Sequence, residues 1–455
     1  MKTLPILPLG LLSAIAVLFF SCNNNGTGPG NGPNNGNVAG GGWVLEEYAC
    51  ASELADNRED LGMDSAIVIT FNGSGAPTVR NPISSFIPVV DTSGHVIIGP
   101  HAMYNGEGPV NIVVSGPVSD GSLKIYGTFP MGGLYLNGVN ITNPRGPAIN
   151  IQGRMNSGIS VHLVGGCGRE NYLKDGFDYA PTGTENAKGT FYSRSRLTFL
   201  GSGLLEVWAL GRRRNDNDAH AIVVDGDLRI ESGNFIIRES VNDGFHANNN
   251  ITITGGTLQI MSTGDAIQNE DSTRTIQITG GKIRARTTGI RSHGIASENN
   301  VIIGENADIK IEASGPAGKG IRARGHVDIT GNSNIGITVT GARILDDSDS
   351  GRASGVKARS LEMAGGTMAI NALNAIRGRG INTDGDVMIR NGSAVTIHTH
   401  GDGINVNGYF RMRDAATTVT SRSRDAQDID CGDRHDISGG GTLNAVLNGR
   451  QAGGF

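Results

Sequence analysis

Aromatic side chains are scarce. They make up 5% of the 455 residues, with two tryptophans. A compact globular core normally carries more, so the interior must be thin and built from Ile, Val and Ala. Excess charge is lacking too: the net charge is −5, and nothing in that balance points to nucleic acid. Cysteine is sparse, at Cys22, Cys50, Cys167 and Cys431. Cys22 has its own explanation below, so the other three allow at most one disulfide, whose pairing stays open; buried, inert thiols are the alternative. Zinc-protease HExxH, paired-cysteine metal spacing and a serine-hydrolase elbow are all missing. No helical periodicity interrupts the long central part of the chain. Glycine is the residue in excess: 70 of them, about twice the usual share of roughly 7%. They follow no three-residue period, which excludes collagen.

What is there is a run of imperfect repeats between Asp218 and Phe410. Two neighbours read NDGFHANNNITITGGTLQIMSTG and GDAIQNEDSTRTIQITGGKIRARTTG. Each opens with a polar, a small and an apolar residue, then gives an alternating run, a Gly-Gly turn and a second alternating run. The opening apolar position recurs at Ile222, Phe245, Ile267, Ile295, Ile321, Val356, Ile381 and Ile404, in steps of 23, 22, 28, 26, 35, 25 and 23 residues. Such a period, with period-2 alternation inside it, predicts an all-β stack of strand coils. The fold expected is a right-handed, single-stranded parallel β-helix, one repeat per coil. In the coil NNNITITGGTLQI, Ile251, Ile253, Leu258 and Ile260 point inward, while Thr252, Thr254, Thr257 and Gln259 point out. Gly255-Gly256, Gly280-Gly281 and Gly365-Gly366 mark corners.

In chain order, residues 1–21 are an export signal, with Lys2 before the apolar Ile6–Phe20 and Ser21 before Cys22. This resembles a bacterial lipoprotein signal, with Cys22 as the lipidated residue. Residues 22–42, mostly Asn, Gly and Pro, form a disordered tether. Residues 43–217 form an N-terminal cap, with a short helix within Leu45–Leu61, and irregular coils. Residues 218–446 form the regular coils and 447–455 a tail. Cys167–Lys188, the loop GRRRNDND and Leu345–Ser354 are excursions that project from corners.

The residue two before each opening apolar position is, in order, His220, Asp243, Asp265, His293, Lys319, Ser354, Arg379 and Asp402. The sign runs from acidic to basic and back. The basic coils add IRAR (Arg322, Arg324), VKAR (Lys357, Arg359), IRGR (Arg377, Arg379) and GIRSH (Arg291, His293). Residues two apart on a strand share a face. A basic ladder is therefore expected from Lys319, Arg322, Arg324, Lys357, Arg359, Arg377 and Arg379. Guanidinium forks match carboxylates, which a polyuronate presents along its length. The competing view is that these cations solubilise exposed strands and pair with acids on neighbouring coils. Asp243, Asp265 and Glu270, on adjacent coils, are the candidates to share a calcium ion, and local turns are the alternative. The acidic loops Asn215–Asp218 and Asp346–Asp349 lack the spacing of an EF-hand.

LYLNGVNIT, GPAINI, LTFLGSGLLEV and the repeated Asp-Gly-Ile…Ile-Thr-Ile-Thr-Gly-Gly-Thr unit together resemble a bacterial family. It is the carbohydrate-binding-domain family of exported parallel β-helix proteins, similar in shape to pectate lyases. The resemblance spans Ser65 to Val446. It implies a right-handed β-helix, acidic plant polysaccharide such as polygalacturonate as ligand with cellulose as a further one, calcium sites on the fold and no demonstrated lyase chemistry. The family's Asp-Asp-Gly-Ile start survives only in part, as Asp243-Gly244, Asp265-Ala266 and Asp402-Gly403. The expectation is a monomeric, non-catalytic, polysaccharide-binding lipoprotein of the cell envelope, on the outer membrane or cell surface. It touches the membrane only through its lipid. A polysaccharide lyase on the same scaffold is the first alternative, and an adhesin or structural spacer the second.

Overall fold

Alternating apolar and polar residues become strand, and glycine-marked corners divide each repeat into three. In a computed structural model of the chain, the described residues are 64–451, without 87, 101–107, 167, 177–184, 212–218, 346–350 and 448–449. The signal, Cys22, the tether, the short helix, Cys50, Cys167 and the acidic loops at 215–218 and 346–349 therefore lie outside the described residues, and Cys431 is buried.

One turn consists of Phe245–Ala247, Ile251–Ile253 and Thr257–Ser262. The next repeats it as Ile267–Asn269, Ile276–Ile278 and Lys282–Thr287. First strands of successive turns join a 16-stranded sheet, here the narrow sheet; the other two strands of each turn join a 26-stranded broad sheet. Successive turns pair in parallel, and no α-helix occurs among the described residues. The fold is a parallel β-helix. All eight opening apolar positions pair in register, from Ile222 with Phe245 to Ile381 with Ile404. The irregular N-terminal strands join the same ladders, beginning with Ile67–Asn72 against Val110–Val118.

The inward residues form stacked apolar columns. Ile251, Ile253, Leu258 and Ile260 are all buried, each contributing on the order of 1.5–3 kcal/mol. Gln259, expected outward and exposed, is buried as well, because Ile236 and Arg284 flank it on the neighbouring turns. The few aromatics are concentrated rather than spread. Phe191, Phe199, Phe235 and Phe245 stack edge to face, with centroids 5.8, 5.3 and 5.7 Å apart. Antiparallel pairings occur at both ends. Ile67–Asn72 pairs with Gly75–Arg80 and Val89–Val90 with His95–Ile98 at one end, Val446–Leu447 with Arg450–Gln451 at the other. They occupy ladder edges that would otherwise invite further strands.

The excursions are more ordered in place than expected. Within Cys167–Lys188, Asn171–Asp175 is a broad-sheet strand, held between Asn140–Asn143 and Leu205–Trp208. The following strand, Gly189–Ser193, joins the narrow sheet. The segments 211–219 and 340–353 likewise immediately precede the narrow-sheet strands His220–Val224 and Ser354–Ala358.

Candidate functional site

The charged residues that the sequence singles out lie on the strands of the narrow sheet or at the corners next to them. These strands open with a polar residue, then a small one, then the apolar marker. The small residue is dictated by packing: a Cβ on Gly320 would lie 2.3 Å from Ile337 Cγ2 and 2.6 Å from the Gly355 carbonyl oxygen. With that Cα pressed against the opposite wall, the preceding side chain is left on the outside. Lys319 thus follows His293 and precedes Ser354 and Arg379 in one column, with the pairings read from the sequence. A second column lies one residue after the marker, where Ala296, Arg322, Lys357 and Asn382 succeed each other.

The structure gathers only part of the expected basic ladder. Lys319 is 5% exposed and donates to the Ala317 carbonyl at 3.1 Å. Burial, then the positive charges of Arg322, Arg291 and Lys357, bring its pKa down to about 8. Arg322 and Lys357 are half-buried neighbours in register. Arg324 and Arg359 lie beyond their strands, at the next corner, and are exposed. Arg377 lies in the turn before its strand, so IRGR does not put two arginines on one strand face. Arg291, too, precedes its strand. Acids on neighbouring turns take several of the cations. Glu298 binds both Arg322 at 2.8 Å and Arg324 at 2.6 Å; Asp384 binds Lys357 at 2.5 Å; Asp402 binds Arg379 at 3.2 Å. The expectation of one continuous ladder is corrected to a compact group, Arg291, Lys319, Arg322 and Lys357, two of whose members, Arg322 and Lys357, are ion-paired with acids on neighbouring turns, as are Arg324 and Arg379 beside it.

Toward the N-terminal end the face is histidine and acid. Asp243 Oδ2 lies 3.0 Å from His220 Nδ1 and 2.9 Å from His246 Nδ1, and all three residues are buried. Burial opposes the charge on Asp243, yet the two imidazoles hold it well below the usual carboxylate range. Burial also opposes a charged His246, but hydrogen bonds to Asp243 and Glu270 outweigh it and lift the pKa to about 9. Burial keeps His220 low, against the pull of Asp243. Asp265 is pushed well up by burial and by the Asp243 charge. Burial, then Lys319 and Arg322, push His293 well down.

Calcium takes about six to eight oxygen ligands. Here Asp243 Oδ2 faces two imidazoles, and its Oδ1 accepts the Asp265 backbone N–H at 2.7 Å. Asp265 Oδ1 accepts the His293 backbone N–H at 2.5 Å, and Glu270 sits 3.5 Å from His246 Nε2. Asp243, Asp265 and Glu270 do not fit calcium as a shared site. His246 is the residue that reading the strand openings alone misses. It stands one position after the marker Phe245, in the column that later carries Arg322 and Lys357. Reading that second column would have found it.

The family whose sequence model matches residues 105–377 is described as carbohydrate-binding domain-containing protein. No curated protein matches the chain. Among solved structures, the polysaccharide lyase-like protein from C. thermocellum, a gadolinium derivative, is similar. It is 23% identical, with a TM-score of 0.44, over 67% of this chain and 96% of that one.

Proposed function

From the premise that the chain belongs to the carbohydrate-binding domain-containing family, we propose that it binds acidic polysaccharide, with polygalacturonate as the type ligand, and does not cleave it. The ligand lies along the outer face of the narrow sheet, across successive turns. The observation that carries this reading is the group Lys319, Arg322 and Lys357. Three cations converge there, and one of them is buried to 5% exposure with a depressed pKa. Glu298 and Asp384 offset part of the cost of concentrating like charge there, and a carboxylate-bearing chain would offset more of it. The turns beside it agree. Arg291 and Arg377 hold φ of 58° and 56°, a conformation that glycine adopts more cheaply by about 1 kcal/mol. Arginine at both positions puts guanidinium groups where the corner meets the face. Arg324, Arg359 and Arg379 take the outer role of holding the ligand's flanks. The protein is exported and held at the cell surface through lipid on Cys22, with residues 23–42 as its tether.

The test is retention on immobilised polygalacturonate against a neutral glycan, with the bound polymer assayed for unsaturated ends. Retention on the acidic polymer alone, with no unsaturated product, is expected. Equal retention on both, or on neither, overturns the reading. A lyase is the second reading, and Lys319 is what favours it: an amine with pKa near 8 is suited to abstract a proton. Unsaturated ends that vanish in Lys319→Met would establish it instead.

A further inference from the structure

The trio His220, Asp243 and His246 has no part in the proposed carbohydrate contact, and its geometry asks for an occupant. Asp243 and His246 come from the turn that contains Phe245–Ala247, and His220 from the turn before, brought alongside by the pairing of Ile222 with Phe245. Their ligand atoms all lie within 4.8 Å of one another, and all three residues are buried. Both Nδ1 atoms converge on one carboxylate oxygen, Asp243 Oδ2, at 3.0 and 2.9 Å.

His220 is the telling member. Its Nδ1 accepts the Asp243 backbone N–H at 3.3 Å, so a lone pair sits there. That same nitrogen faces Asp243 Oδ2, a second acceptor, at 3.0 Å. A proton on Nδ1 or a metal ion would satisfy this contact, and the convergence of both imidazoles on one carboxylate oxygen favours the metal. We propose that His220, Asp243 and His246 bind a divalent transition-metal ion of the zinc class.

The donor chemistry selects the ion. Two imidazole nitrogens and one carboxylate oxygen suit borderline divalent ions such as zinc, whereas calcium prefers an all-oxygen shell. The surroundings do what an outer shell does, which is to fix the ligands' orientation. Asp243 Oδ1 is held by the Asp265 backbone N–H at 2.7 Å. His220 Nε2 meets the Asn242 side-chain amide at 3.2 Å, and His246 Nε2 lies 3.5 Å from Glu270 Oε1. Three protein donors leave a coordination position open. The ion would sit three strand spacings from Lys319, roughly 14 Å along the same face.

The experiment uses the full chain, stripped with chelator and then dialysed against zinc alone, with metal content measured. About one tightly held zinc per chain is expected, not displaced by excess calcium. His220→Gln and His246→Gln should each weaken retention roughly tenfold or more. Circular dichroism checks that both variants remain folded. Cobalt(II) added to the wild-type chain gives a readout that needs no variant: visible absorption bands of a nitrogen-containing site are expected. No zinc retained by the wild-type chain, a cobalt spectrum equal to that of the free ion, or undiminished retention in folded His220→Gln/His246→Gln would overturn the proposal. None of these outcomes depends on whether the protein binds polysaccharide.

Discussion

Lys319 shows what a single position on this face costs. Buried beside Arg291, Arg322 and Lys357, and facing His293 and Asp265, it has a folded-state pKa of about 8 against an ordinary 10.5. Between those values the unfolded chain carries more protons than the folded one, so stability rises with pH across that window. Below it, the charged amine works against folding. Lys319→Met should therefore raise stability at pH 7, by on the order of 1–3 kcal/mol. It should also flatten the rise in Tm between pH 8 and 10.5, as read by thermal denaturation at stepped pH. A Tm profile that keeps its slope in the variant would assign the effect elsewhere. The column to which Lys319 belongs was legible from spacing alone, because side chains at one repeat position must stack. Which acid each cation meets was not. Glu298 takes both Arg322 and Arg324 because it stands one turn away with the reach to do so, and spacing carries no information about reach.

At the scale of the strand and its corner, a small residue before the apolar marker is a packing requirement. Gly380 repeats the Gly320 arrangement: an added Cβ would lie 2.4 Å from Ile397 Cγ2 and 2.4 Å from the Gly403 carbonyl oxygen. Gly320→Val should thus destabilise by about 1–3 kcal/mol, measured by urea denaturation. The corner residue Arg291 predicts the opposite sign. With φ at 58°, Arg291→Gly should gain about 0.5–1 kcal/mol in the same assay while weakening binding to polygalacturonate. A loss of stability would show that the arginine's contacts outweigh its backbone strain. The corner glycines were legible as turn signals. Only the second of Gly255-Gly256 and of Gly280-Gly281 has positive φ, at 85° and 86°. The corners that precede the narrow sheet were not legible as a set. Their lengths and compositions differ, and only the strand pairing shows that the strands after them belong to one sheet. For the same reason the arginines of IRGR and GIRSH were read onto strands. The repeat's uniform opening grammar hides that the turn takes in the residue two before the strand.

For the whole molecule, each turn contacts its neighbours through parallel ladders, and no turn buries its apolar face alone. The stacking period, the inward residues and the eight in-register markers were all written in the sequence, because strand alternation and turn spacing are local properties. The concentration of Phe191, Phe199, Phe235 and Phe245 was not, since Phe191 and Phe245 stand in the marker column while Phe199 and Phe235 come from the two other strands of the turn. Its consequence is a specific weak point. Phe199→Ala should cost about 3–5 kcal/mol, more than truncation of a single aliphatic residue elsewhere in the stack, in equilibrium unfolding. Stacking also turns charges some two dozen residues apart into neighbours, and on this the functional account rests. The measurement that bears on it most directly is calorimetric titration of an oligogalacturonate into the wild-type chain, Arg322→Ala/Lys357→Ala, and Arg229→Ala/Arg390→Ala, whose arginines lie on the broad sheet. The account predicts that affinity falls roughly tenfold or more in the first variant and holds within about twofold in the second, with wild-type binding weakening as salt is added. Equal affinity in all three proteins would contradict it.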